Sequence, residues 1–396
     1  MPRRIFITVA EVSGDKHAAQ LIRSLQQLDP TIIIEGLGGP EMQSAGAIIH
    51  RNTTQKAAMG WRGIFRASEV MNALRWTRRH FETQRPDLLI GVDSPSMNFH
   101  FAKVAHELGI PVLQYVAPQL WAWAEWRMKK LRRWVNQVAC ILPFEEPYFR
   151  RHGVNATFVG HPLFDQLPAD RFSQPRERFP ARPPVIGLLT GSRKSEAEAN
   201  FRGLLSAAEL IRREFPETTF LAPTTPATDP VVERELARRG NVIVSRGLNQ
   251  FDQMVPQCDL CLTVSGTATL HVAGFGVPMI VVYRIGRLAW NAAGRWLVPT
   301  RTFALVNVLA KSRLPATESS SSPHLVREFV PWFGSGEPVA QAAIDLLRRP
   351  EKLGEQRTRL RDLIRPLDHP GASDKTARLA LDMIERAAPS TAANTA

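Results

Sequence analysis

The sequence predicts an α/β protein made of two Rossmann-like halves, each built on a parallel sheet. Three observations carry that reading. Short, continuous apolar runs of the kind that form buried parallel strands alternate with segments of helical period along most of the 396 residues. The length exceeds one ordinary hydrophobic core, so two domains are expected. A charged, Pro-rich stretch without periodicity (LPADRFSQPRERFPARPP, residues 167–184) interrupts the pattern and reads as a linker.

The first half, residues 1–166, opens with the strand Ile5–Ala10, the turn Glu11-Val12-Ser13-Gly14-Asp15, and Ala18, Leu21, Ile22, Leu25 and Leu28 at helical spacing. A second strand, Thr31–Gly36, leads into Gly36-Leu-Gly-Gly-Pro40. That turn lacks the third Gly of a dinucleotide fingerprint and does not open the first βα unit, which argues against a dehydrogenase. Asp87–Asp93 is a buried strand ending on a carboxylate, followed by a helix through Leu108. Ligands gather at the carboxyl ends of parallel strands, so Asp93 is either a catalytic base or the cap of that helix. Val112–Val116, Val138–Leu142 and Thr157–Gly160 read as further strands, with a basic helix from about Ala124 to Trp134.

The second half, residues 185–370, repeats the alternation with strands at Val185–Leu189, Thr218–Ala222, Val242–Ser245 and Asp259–Val264. Thr190-Gly191-Ser192-Arg193 precedes a helix beginning near Glu196, and Gly and Ser before a helix, with an Arg beside them, suit an anion. Leu262–Tyr283 reads as strand, small-residue turn, short helix and strand. Ser265, Gly266 and Thr267 open its helix, where outward N–H groups and the helix dipole attract a diphosphate; the plainer alternative is an ordinary βαβ turn. A helix over 371–388 could pack back on the first half, and 389–396 reads as a disordered tail.

Composition narrows the class. Apolar residues at 44% and charged residues at 22% describe a folded, soluble protein, and no apolar run is long enough to span a bilayer. Met1-Pro2-Arg3-Arg4 enters the first strand directly, so no signal peptide is expected. Cys140, Cys258 and Cys261 fit a reducing compartment, and Cys258-Asp-Leu-Cys261 lacks the second pair that a zinc site needs. The formal net charge of +13 calls for an acidic partner, yet no nucleic-acid motif accompanies it. Basic residues interleave with Trp and Phe in Trp61–Phe81 and Arg284–Phe303, which suits either a membrane interface or a packed helix with a solvated basic face.

Taken together, the motifs resemble those of the lipid-A-disaccharide synthase family, inverting glycosyltransferases of the GT-B fold. The family's AGExSGD is similar to Val9–Asp15, GxxGPxMxxxG to Gly36–Gly46, and its MG pair to Met59-Gly60. GIDxPDFN resembles Gly91–Asn98, YVxPxxWAW Tyr115–Trp123, LPFE Leu142–Glu145, and FxGHP Phe158–Pro162. LPGSRxxE resembles Leu189–Glu196, SGTAxLE Ser265–His271, and PNLLA Val306–Ala310, all in order from about residue 5 to 333.

The resemblance implies two parallel-sheet domains facing a central cleft. It also implies transfer of diacylglucosamine from its UDP derivative to the 6-hydroxyl of diacylglucosamine 1-phosphate, with inversion, giving a β-1,6 disaccharide and UDP. Asp93 is the implied base, with Glu11, Ser13, Asn98, Gln119 and Trp121 on the substrate side. Arg193, Glu196, Ser265, Gly266, Thr267, His271 and Asn307 are implied around the donor nucleotide. Neither a metal nor a cofactor is implied, since no DxD-type carboxylate cluster is evident. The expected setting is cytoplasmic, at the anionic surface of the inner membrane, with a second copy of the chain as a candidate partner. The departures from the family pattern that bear on the chemistry are His271 for Glu, Ser96 for Asp, Thr190 for Pro, Gly63 for Glu and Pro331 for Gln. Another GT-B nucleotide-sugar enzyme, or a catalytically weakened membrane-surface binding protein, is compatible with the same motifs.

Overall fold

The computed structural model describes residues 2–54, 63–122, 125–168, 183–239, 244–286, 302–314 and 322–387. Met59-Gly60, Trp123, most of the linker (169–182), the greater part of the second basic-aromatic segment (287–301), most of the Ser-rich stretch (315–321) and the tail (388–396) lie outside the described residues. The chain forms two compact units, Met1–Gln166 with His369–Ala396, and Leu167–Asp368.

The first unit contains β1 (Arg4–Val9), α1 (Val12–Leu28), β2 (Ile33–Gly38), α2 (Pro40–Ser44), β3 (Ile48–Asn52) and α3 (Gly63–Thr83). It continues with β4 (Leu88–Val92), α4 (Pro95–Glu107), β5 (Val112–Tyr115), α5 (Met128–Trp134), β6 (Gln137–Cys140), α6 (Glu145–Arg151) and β7 (Ala156–Phe158). Its sheet is parallel in the order β3-β2-β1-β4-β5-β6-β7. Both faces of β1 are buried, as a central parallel strand requires. Ile5, Ile7 and Val9 meet Leu21, Ile22 and Leu25 of α1, while Phe6 joins Phe99, Phe101 and Ala105 on the other face. Burying each such Leu, Ile or Phe stabilises the fold by about 1.5–3 kcal/mol.

The second unit runs β8 (Val185–Leu189), α7 (Lys194–Glu214), β9 (Thr219–Thr224), α8 (Asp229–Arg239), β10 (Val244–Leu248), α9 (Phe251–Met254) and β11 (Leu260–Val264). It is completed by α10 (Thr267–Gly274), β12 (Met279–Arg284), α11 (Leu305–Ser312), β13 (Glu328–Trp332), α12 (Glu337–Leu347) and α13 (Pro350–Ile364). This sheet is also parallel, in the order β10-β9-β8-β11-β12-β13. Numbered from its own first strand, it repeats the 3-2-1-4-5-6 order seen in the first six strands of the other sheet, the doubly wound arrangement.

The chain then returns to the first unit. In α14 (Ala372–Ala387), Ala377, Ala380 and Ile384 join the same apolar cluster as α1. Asp165 fixes where this helix begins: its carboxylate accepts the N–H groups of Gly371 (2.7 Å), Ala372 (3.1 Å) and Ser373 (3.0 Å) and the Ser373 hydroxyl.

Several boundaries differ from the sequence reading. The strand expected at Thr31–Gly36 runs Ile33–Gly38, because Leu37 pairs with Thr8 and carries the strand through the glycines. The strand expected at Val242–Ser245 runs Val244–Leu248, and the basic helix starts as a 3-10 turn at Glu125–Arg127. The three cysteines, all described, are buried and form no disulfide.

Candidate active site

In a doubly wound sheet, the crevice for ligands lies at the carboxyl ends of the two strands where the order reverses. In the first unit those strands are β1 and β4, paired at Val9 and Val92. Glu11, Ser13 and Asp93 follow these strand ends directly. Gly14 lies against both strand ends: a Cβ built on it would stand 3.1 Å from Val9 Cγ1, 3.6 Å from Val92 O and 3.7 Å from Asp93 Cβ.

Asp93 has φ 51° and Ser94 φ 39°, and Val116, after the neighbouring β5, has φ 62°. Left-handed backbone at non-glycine residues costs on the order of 1–3 kcal/mol each, and here three such residues share one sheet edge. The surroundings enforce the geometry. Asp93 N–H donates to Tyr115 O (3.0 Å), and Asp93 O accepts from Asn98 Nδ2 (2.6 Å) and Gln114 Nε2 (3.2 Å). Asn98 also donates to Val92 O (3.1 Å) and accepts the Thr8 hydroxyl (2.9 Å). Ser94 occupies the N-cap position of α4 and makes no side-chain cap bond. Asn98 is buried and acts as the clamp on Asp93, while Asp93 itself is half-buried.

Gln119 is exposed on the turn after β5. Trp121 donates its indole N–H to Glu145 Oε1 (3.1 Å) and packs edge-on against Phe144. Glu145 is buried and also accepts N–H groups from Ile141 (3.1 Å) and Leu142 (3.0 Å). Burial pushes its carboxyl up to about 7, against the pull of those three donors. Asp15, the last residue of the first motif, is buried and caps α2 through the N–H groups of Gly39 (3.0 Å), Glu41 (3.1 Å) and Met42 (3.3 Å).

In the second unit the order reverses between β8 and β11, and again both stretches singled out in the sequence follow those strand ends. Ser265 donates to Phe303 O (3.0 Å). Gly266 has φ 140°, and a Cβ there would meet nothing within 4 Å among the described residues. Thr267 is the first residue of that eight-residue helix, whose leading N–H groups and dipole favour an anion.

On the β8 side, Glu196 accepts from Arg193 N–H (3.3 Å) and Arg193 Nη1 (3.1 Å). Gly191 (φ 89°) makes room for that carboxylate, since a Cβ would lie 2.3 Å from Glu196 Oε2. Glu196 therefore shapes the turn and orients Arg193, whose side chain is 61% exposed.

Asn307 is buried with its amide committed inside the unit. Nδ2 donates to Val326 O (2.8 Å) and Glu328 Oε1 (2.5 Å), and Oδ1 accepts Val326 N–H (2.9 Å). The structure thus gives Asn307 a positioning place rather than one facing a ligand. Glu328 completes it by accepting the N–H groups of Phe303 (2.9 Å) and Ala304 (3.1 Å), which ties Ser265's partner to the sheet. His271, on α10, lies against Phe251 and Phe275, with Nε2 2.7 Å from Asp252 Oδ1.

Asp15, Gln114, Glu145, Asp252 and Glu328 brace or adjoin the candidate site residues, and sequence reasoning did not single them out. Gln114 had a signal, a polar residue inside a buried strand. Asp15 and Glu145 lie within the family motifs given above, and Glu328 stands three residues before Pro331, a position where the family pattern has Gln, whereas Asp252 has no sequence mark.

Two doubly wound parallel units, each with polar side chains at its switch point, are the GT-B arrangement of nucleotide-sugar enzymes. Solved structures agree on the fold. A UDP-GlcNAc 2-epimerase from Neisseria meningitidis superimposes with a TM-score of 0.61 at 12% identity, over 98% of this chain and 100% of that one. CalG4, the calicheamicin glycosyltransferase, gives 0.60 at 17% identity, over 98% and 100%. The family profile described as lipid-A-disaccharide synthetase matches residues 5–322. The lipid-A-disaccharide synthase of Geobacter metallireducens is 33% identical over 388 residues, covering 96% of this chain and 97% of the relative. That of Nitrosococcus oceani is 34% identical over 355 residues, 88% of each. The chain belongs to the lipid-A-disaccharide synthase family, and its place is in lipid A biosynthesis.

Proposed function

We propose that this enzyme transfers diacylglucosamine from its UDP derivative to the 6-hydroxyl of diacylglucosamine 1-phosphate, with inversion at the anomeric carbon. The observation that carries the reading is the strained, fully braced backbone of Asp93 at the β1/β4 switch point. Asp93 takes the proton of the acceptor hydroxyl as its oxygen attacks the anomeric carbon. The bond from that carbon to the diphosphate breaks, and UDP leaves with the electron pair. Negative charge grows on the diphosphate, and the start of α10 and the Arg193 guanidinium are assigned to stabilise it, the one by its leading N–H groups and the other by its exposed charge. Glu11, Ser13, Gln119 and Trp121 are assigned to the acceptor side. The hydrogen bond from Trp121 to Glu145 supports that assignment by fixing the indole.

The acylated substrates imply work at an anionic inner-membrane surface from the cytoplasmic side. Among the described residues no helix is long and apolar enough to cross a membrane. Exposed Trp126, with Arg127 and Lys130 over its ring, offers an interfacial anchor, and Arg51, Arg75 and Arg79 surround Trp76 in a basic hollow. A homodimer remains part of this proposal.

The test is UDP release from UDP-diacylglucosamine and diacylglucosamine 1-phosphate, with the anomeric configuration of the product read by NMR. Asp93→Asn should abolish turnover and leave UDP affinity nearly intact. Unchanged activity would remove Asp93 as the base, and an α-linked product would refute inversion.

A further inference from the structure

Away from the strand ends just described, Glu35 of β2, His50 of β3 and His80 of α3 converge on one point. Their ligating atoms all lie within 4.8 Å of one another. His50 Nε2 is 2.9 Å from Glu35 Oε2, and His80 Nε2 is 3.1 Å from Glu35 Oε1. The second contact is close without being aligned: both Glu35 Oε1 and His80 Nε2 are buried and lack a hydrogen-bond partner. The Glu35 side chain is 3% exposed and that of His80 10%, so two buried polar atoms without an aligned hydrogen bond face the same small space.

We propose that Glu35, His50 and His80 bind one divalent transition-metal ion of the zinc class, which clips α3 to the edge of the first sheet. Two imidazole nitrogens and one carboxylate oxygen are a common zinc set, with water as the fourth ligand. In a tetrahedral site of that kind donor atoms stand about 3.3 Å apart, so the three groups need only small side-chain rotations to close. The rings are already oriented by an aromatic wall. Trp76 stacks on His80 at 4.9 Å and tilts over His50 at 4.8 Å, and Phe6 lies 5.7 Å from His80.

Arg4 is the one cation competing for this carboxylate among the described residues, with Nη1 3.5 Å from Glu35 Oε1. Its side chain is 33% exposed and also bonds Gln84 (3.2 Å), so it can turn outward as an ion enters. The His50 side chain, 24% exposed, leaves a path to solvent on the same side.

Chelator-stripped, full-length protein titrated with Zn²⁺, and separately with Co²⁺, should bind one equivalent. Binding should weaken at least tenfold in His50→Gln and in His80→Gln, and tighten severalfold in Arg4→Gln. The Co²⁺ form should show the visible d–d bands of a low-coordinate nitrogen–oxygen site, and metal should raise the melting temperature of the wild type but of neither histidine variant. If His80→Gln does not fold, the more exposed His50→Gln decides the matter alone. Absence of stoichiometric uptake by the wild type, or uptake unchanged in His50→Gln, overturns the proposal.

Discussion

Asp252 Oδ1 lies 2.7 Å from His271 Nε2, so a carboxylate stands beside α10 although the family's Glu is missing from the helix itself. Asp252 comes from α9, and its side chain is 50% exposed. Neutral His alone accepts one hydrogen bond, whereas a carboxylate accepts several. Asp252→Asn should weaken UDP binding severalfold by calorimetry, and His271→Glu in that background should restore it. Full affinity in Asp252→Asn would take Asp252 out of the donor site.

Asn98 holds Asp93 through its main-chain oxygen, and its removal also strands the buried Thr8 hydroxyl. An unmet buried group of this kind costs about 1–3 kcal/mol. Asn98→Ala should therefore lower the melting temperature and cut kcat at least tenfold, with KM moving less, because the base is misplaced rather than lost. Equal kcat in wild type and variant would show that Asn98 does not position the base.

Glu145 predicts a pH dependence of stability. Burial raises its folded-state pKa to about 7 from an ordinary value of 4.5. Between those two values the native state holds a proton that the unfolded chain has released, so stability declines as pH rises through the window. The contribution is full below about pH 4.5 and gone above about 7. The melting temperature of the wild type relative to Glu145→Gln should accordingly fall between pH 5 and pH 8. A constant difference across that range would mean that Glu145 titrates normally.

Gly191 combines a left-handed φ of 89° with a would-be Cβ 2.3 Å from Glu196 Oε2. Gly191→Ala should cost on the order of 1–3 kcal/mol from the backbone alone. It should also displace the turn carrying Arg193, so UDP affinity and melting temperature should drop together. Retention of both in a thermal-shift and binding pair would contradict the role given to this turn.

Much of the fold was legible along the chain. Buried parallel strands are continuous apolar runs, and α1 declares itself through Ala18, Leu21, Ile22 and Leu25, because strand and helix periods relate near neighbours. The same logic placed Asp93, Arg193 and Ser265 at strand ends, where a doubly wound sheet keeps its ligands.

The partners of those residues follow from no local pattern. Asp15 caps a helix at Gly39, Glu328 secures Asn307 and the backbone of Phe303, and Asp165 starts a helix at Ala372. Asp252 meets His271, and Glu35 meets two histidines, only once separate helices and strands have packed together. Periodicity reports which face of an element is buried, and so it settled the class of fold and the ends of strands where chemistry is done. Which polar groups brace that chemistry was decided by tertiary structure alone, because a hydrogen bond or ion pair depends on distances in space that residue spacing does not encode.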